Sequence, residues 1–137
     1  MTATVDSCLI ILTYKGKILL LQQDDVLNNL PHNDWHFIER IKEKNKTPQE
    51  TIMREVKRQT EVKLSEVSFV ARISRNGNMT YLFHARLNDN NVDNLKRDEG
   101  KLLQFFTLQE LKRLRLKEST KLFLPEYSAI IENTLLN

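Results

Sequence analysis

Apolar residues in this chain fall in short runs divided by polar turns, and their spacing changes from strand to helix and back. Residues 5–13 are rich in Ile, Leu and Val and read as a buried strand. Lys15-Gly16-Lys17 supplies a turn, and residues 17–23 carry a second run, Ile18 to Leu21 unbroken, so the two form a hairpin. Residues 24–34 are polar, contain Pro31 and read as a loop; residues 35–41 predict a short strand or extended segment. A helix follows. Thr47 suits the N-cap, Pro48 the first helical position, and Glu50 a capping box with Thr47. Ile52, Met53, Val56 and Thr60 recur at helical spacing and predict the core face. Glu55, Arg58 and Gln59 fall together on an adjacent face, expected to be exposed, and Val62 or Lys63 ends the helix.

Residues 67–74 and 79–87 predict strands around Asn76-Gly77, a hairpin signal because both turn positions want positive φ. Residues 88–94 read as a polar loop and 102–106 as a last strand. Thr107, with Glu110 as its capping partner, opens a short helix through Leu114, and residues 122–136 predict a terminal amphipathic helix with Pro125 near its start. The order hairpin, strand, helix, hairpin, strand, helix, helix predicts an α/β (α+β) fold, a mixed sheet with helices packed on it. With no repeat, linker or low-complexity stretch, residues 1–137 are expected to form one domain.

Composition narrows the setting. Hydrophobic residues at 40% and charged residues at 28% are an ordinary globular balance, so no metal or disulfide staple is needed to hold the core. Cys8 is the lone cysteine and cannot form an internal disulfide, which fits a reducing compartment. The polar start and the interruption of the first apolar run at Tyr14 argue against a signal peptide or a membrane span, and a cytoplasmic location is expected. The net charge of +3 is small. Cys8 and the aromatics Trp35, Phe37, Phe105 and Phe106 are expected in the core; His32, His36 and His84 lack metal-ligand spacing.

Residues 35–64, the strands before them and the stretch Phe105-Phe106-Thr107-Leu108-Gln109-Glu110-Leu111 after them resemble the Nudix hydrolase family. The family's box is G-x5-E-x7-R-E-U-x-E-E-x-G-U, with U a bulky aliphatic. Arg54-Glu55-Val56 fixes the register, and Val62 matches the last aliphatic. Arg40 then stands at the opening glycine, Lys46 at the first glutamate, Arg58 and Gln59 at the paired glutamates, and Glu61 at the second glycine. Trp35 before the box and the Thr-Pro-x-Glu cap add to the likeness. The resemblance implies an α/β/α sandwich with a mixed sheet. It also implies a helix whose glutamates hold Mg²⁺ on a pyrophosphate while a water attacks phosphorus.

The substitutions bear on that chemistry. Magnesium wants oxygen ligands, above all carboxylates. The helix offers Glu55 beside Arg58, a permanent cation, and Gln59, a neutral amide. Between Arg40 and Arg58, seven basic residues (Arg40, Lys42, Lys44, Lys46, Arg54, Lys57, Arg58) face three acids (Glu43, Glu50, Glu55), a balance of +4 where a cation should sit. Arg40 would pay dearly for a positive φ, so the loop is expected to take another path than the family's glycine turn.

The resulting expectation is weak or absent hydrolysis, with Arg40, Lys46, Arg58 and Gln59 binding a phosphate-bearing small molecule, or with this surface meeting a protein partner. The alternative is an active Mg²⁺-dependent pyrophosphohydrolase. It would use Glu55 and Glu99 as metal ligands or base and Arg54 to orient Glu55, with Glu43, Glu50, Glu61 or Asp98 as further acids within possible approach. A third reading, a nucleic-acid or protein interaction module built on Lys112, Arg113, Arg115, Lys117 and Lys121, competes with a plain solvated connection. Aromatic and basic residues are not interleaved as in RNA-recognition folds, so nucleic acid is not the expected partner.

Overall fold

The computed structural model describes residues 5–23, 34–96, 101–123, 125–126 and 128–130. Strands β1 (Ser7–Tyr14), β2 (Lys17–Gln23), β3 (Ile38–Ile41), β4 (Ser68–Arg75), β5 (Asn78–Arg86) and β6 (Lys101–Phe106) form one mixed sheet. Helix α1 (Pro48–Thr60) follows β3, α2 (Asp89–Asp93) follows β5, and α3 (Leu108–Leu111) and α4 (Glu118–Lys121) follow β6. The sheet order is β4-β5-β1-β2-β6, with β3 also paired to β1. β1 runs parallel to β5 and antiparallel to β2 and β3.

β1 is continuous in apolar residues because both of its faces are covered. Cys8, Ile10 and Leu12 share a cluster with Ile52 and Val56 of α1. Leu9 and Ile11 point the other way, into a cluster with Phe37, Leu82, Phe106, Leu111, Leu116 and Phe123. This alternation of side chains across the sheet makes the α/β/α sandwich. The expected aromatic core is present: Phe37 and Phe106 are buried, and Trp35 meets Phe106 edge-on at 4.8 Å between centroids. The hairpin turn at Asn76-Gly77 has φ of 54° and 82°, as its sequence predicts.

Several elements differ from the sequence expectation. Residues 35–41 are not one strand. His36 bridges Leu21 and Trp35 bridges Leu116, while only Ile38–Ile41 pairs with β1. The step between them lies at Phe37, whose N–H donates to Thr120 Oγ1 at 3.0 Å. The expected loop at 88–94 holds α2, because Asn88 and Asn91 exchange side-chain and backbone hydrogen bonds in a reciprocal cap. α3 stops at Leu111 rather than Leu114, and α4 was not expected. The predicted loop at 24–34 lies outside the described residues except for Asp34, and the predicted terminal helix lies partly outside them; 125–126 and 128–130 are helical. No helix among the described residues is long and apolar enough to cross a membrane.

Candidate functional site

β3, the loop after it and α1 build the site. Arg40 lies in β3 opposite Cys8 of β1, an extended position that an arginine adopts without strain. The positive φ in the loop after β3 falls at Asn45, at 67°, a residue type that tolerates the left-handed region. Lys42 N–H donates to Asp6 O at 2.8 Å, and Glu43 N–H to Thr51 Oγ1 at 3.3 Å. Thr51 is buried and its hydroxyl donates a hydrogen bond to Thr47 O at 3.0 Å, so the loop is tied to the first turn of α1. Thr47 Oγ1 caps the helix by accepting from Glu50 N–H at 3.1 Å, and Pro48 stands in the first turn. At the other end Glu61, at the family's second glycine, is left-handed with φ 64° and donates its N–H to Lys57 O.

Ile52, Val56 and Thr60 of α1 are buried and Met53 is half-buried, as the spacing predicts. Glu55 departs from expectation. Its side chain is only 3% exposed, not on an open face. Both of its oxygens accept from Arg58, Oε1 from Nε at 2.5 Å and Oε2 from Nη2 at 2.8 Å. Arg40 Nη1 stands 3.8 Å from Oε2. Arg54 does not reach Glu55; it pairs with Glu43 at 3.2 Å, and Glu43 lies 3.7 Å from Arg40. The result is a row of alternating charge: Arg54, Glu43, Arg40, Glu55, Arg58. Three guanidiniums against two carboxylates leave it one positive charge. Glu55 lifts the pKa of Arg58 above its ordinary value, first through the hydrogen bonds and then through its charge, so Arg58 stays a cation.

Two clefts meet at this row. One, of about 700 Å³, is lined by Arg40, Glu43, Arg54, Glu55, Lys57 and Arg58, with Thr51 and Glu61. The other, of about 870 Å³, shares Arg40, Glu43, Glu55 and Arg58 and extends past Gln59 and Lys42 to His36, Glu39, Lys117 and Ser119. Arg40, Arg58 and Gln59 are thus brought together, whereas Lys46 lines neither cleft. Glu99 and Asp98 lie outside the described residues. Sequence reasoning missed the far wall, where Glu39 is held by Lys117 Nζ and by Ser119 Oγ, the latter at 2.9 Å. The side-chain alternation of β3, which separates Glu39 from Arg40, was the signal available for it.

Among the described residues, the box positions do not fit a divalent ion of the kind Nudix hydrolases use. Of the carboxylates that the box should supply, Glu55 alone remains; Arg58 holds both of its oxygens and Arg40 stands 3.8 Å away. Among the described residues no three His, Cys, Asp or Glu stand together so as to hold a metal. Cys8 is no substitute: it is buried, and desolvation above all pushes its thiol up to about 11, away from the thiolate a metal would bind.

A model of the NUDIX domain matches residues 2–127. Among solved structures, a mutT/nudix family protein from Listeria innocua is 18% identical, with a TM-score of 0.78 over 100% of each chain. The NUDIX domain of Shewanella oneidensis NrtR, complexed with ADP ribose, is 12% identical, with a TM-score of 0.70 over 96% of this chain and 90% of that one. A chain from the complex of the C-terminal domain of mouse MUTYH with human PCNA is 14% identical, with a TM-score of 0.68 over 93% and 89%. Identities this low speak to fold alone. No curated protein matches the chain. The sheet order, the helix after β3 and a family match over most of the length agree, and the chain belongs to the NUDIX domain family.

Proposed function

We propose that this chain is a NUDIX domain with a degenerate hydrolase centre, which binds a phosphate-bearing small molecule and hydrolyses it weakly or not at all. The observation that carries the reading is the state of Glu55: buried, and bonded on both oxygens to Arg58. Arginine binds phosphate through two parallel N–H bonds, and Arg40, Arg54, Lys57 and Arg58 line one cleft. ADP ribose, the ligand of the Shewanella domain, carries a diphosphate and supports a ligand of that class. A protein partner on the same surface is the other occupant to test, and the presence of the mouse MUTYH domain in a complex with PCNA supports trying it.

The second reading is Mg²⁺-dependent pyrophosphohydrolysis using Glu55 and Glu99, with Arg54 as an orienting residue. Family membership favours it; the pairing of Arg54 with Glu43 rather than Glu55 counts against it.

Calorimetry with a panel of nucleotides and nucleotide sugars, run without added metal, tests the first reading, which expects binding to at least one diphosphate-bearing member. Formation of phosphomonoester products from the same panel in Mg²⁺ and Mn²⁺ is expected near background. Brisk turnover that disappears in Glu55→Gln would favour the second reading.

A further inference from the structure

Arg58 has more donors than Glu55 uses. A guanidinium carries five N–H groups in a planar fork. Glu55 takes the edge formed by Nε and Nη2, and among the described residues Nη1 has no partner. The side chain is 59% exposed and borders both clefts. Arg40 lies 3.7 and 3.8 Å from Glu43 and Glu55, held by charge but beyond hydrogen-bond reach of either, so its own donors also remain available among the described residues. Two carboxylates thus fix two guanidiniums at the mouth of the site without using them up.

That arrangement discriminates between two forms of one ligand. A polyphosphate in a solution containing magnesium exists partly as the free anion and partly as its chelate. The free anion brings its full charge to Arg40 and Arg58 and can be gripped by two N–H bonds from one guanidinium. The chelate brings a divalent ion a few ångströms from fixed cations, where Coulomb repulsion acts. It also finds Glu55, the glutamate retained at a box glutamate position, with both oxygens taken by Arg58.

We propose that the site takes polyphosphate only in its metal-free form, with Arg40 and Arg58 as the gripping residues and Glu43 and Glu55 as positioning residues, so that rising free Mg²⁺ withdraws the ligand from the protein. The proposal rests on the phosphate-binding reading above. It makes the domain responsive to magnesium through its ligand, not through an ion of its own.

The test is calorimetric titration of the full chain with inorganic pyrophosphate over a series of free Mg²⁺ concentrations. The apparent Kd should rise with the chelated fraction and collapse to a single value when plotted against free pyrophosphate. EDTA should change nothing in the absence of added metal. Arg58→Gln should weaken binding by about tenfold, the loss of one charge-assisted contact. Arg40→Gln, at an exposed position that does not hydrogen-bond Glu55, should do the same in a chain whose fold is undisturbed. Tighter binding with Mg²⁺, or an apparent Kd unmoved while most pyrophosphate is chelated, overturns the metal-free preference yet leaves phosphate binding standing. No heat of binding to pyrophosphate in either condition overturns the proposal, and the nucleotide panel above then decides the phosphate-binding reading separately.

Discussion

Glu55 and Asp89 are both carboxylates with two polar partners, and their surroundings are opposite. Glu55 lies beneath Arg58 and Arg40 with almost no access to water. The Asp89 side chain is 74% exposed, accepts the Tyr14 hydroxyl at 2.6 Å and stands 3.5 Å from Lys15. Water and salt compete continuously for Asp89, so its pairing adds little to the fold. Glu55 has no such alternative: take away its partner and a charge is stranded beside the core. Contact distances are similar in the two clusters. What separates them is the desolvation of the carboxylate.

The strongest way to break this contrast is Arg58→Ala, which leaves Glu55 with Arg40 at 3.8 Å as its nearest counter-charge. Urea unfolding should show a loss of about 1–2 kcal/mol, below the range for a fully buried pair because Arg58 itself is largely solvated. Adding Glu55→Gln to that variant removes the stranded charge and should restore most of the loss. A double variant no more stable than the single one would mean that the buried charge is not the cause.

His84 is the intermediate case and sharpens the comparison. Its ring is half-buried, with Nε2 at 2.8 Å from Thr13 Oγ1. Burial first, and the charge of Arg86 second, hold its pKa below the ordinary 6.5. Near that pH the unfolded chain takes a proton that the folded chain refuses. Stability is therefore full above it and is lost as pH falls toward the folded pKa. His84→Gln should flatten that part of the pH–stability curve; an unchanged slope between about pH 7 and pH 5 would remove His84 as its source.

The smallest effect is expected at Asp89→Asn. The urea midpoint should stay where it is. The Tyr14 phenol, which Asp89 holds above its ordinary pKa chiefly through their hydrogen bond, should titrate lower when followed by ultraviolet absorbance. A measurable loss of stability here would erase the distinction between the two clusters.

Much of the fold was legible because it rests on local periodicity. The runs that became β1 and β2, the caps of α1, and the turn at Asn76-Gly77 all carry their signals within a few residues. The site was legible only in composition. The excess of arginine and lysine after β3 was plain, but not which cation faces which acid. Helical spacing placed Glu55 beside Arg58 and Gln59, yet its burial depends on how β3 and the loop after it lie against α1. The partner of Arg54 was misassigned for the same reason: Glu43 comes within reach only after the loop folds back on Thr51. α4 and the Glu39–Lys117 contact join segments 78 residues apart, a distance that no local pattern spans.

β3 meets β1 in a ladder that runs from Ser7 opposite Ile41 to Ile10 opposite Ile38. Neighbouring side chains on a strand point to opposite faces, so a slip of one position would turn Arg40 away and set Glu39 or Ile41 in its place. Glu55 would then face a second acid or an oily side chain where it now has a counter-ion. The charge row thus works as a gauge of alignment, complete only when two backbone segments match residue for residue, and a chain that pairs out of step carries an electrostatic fault.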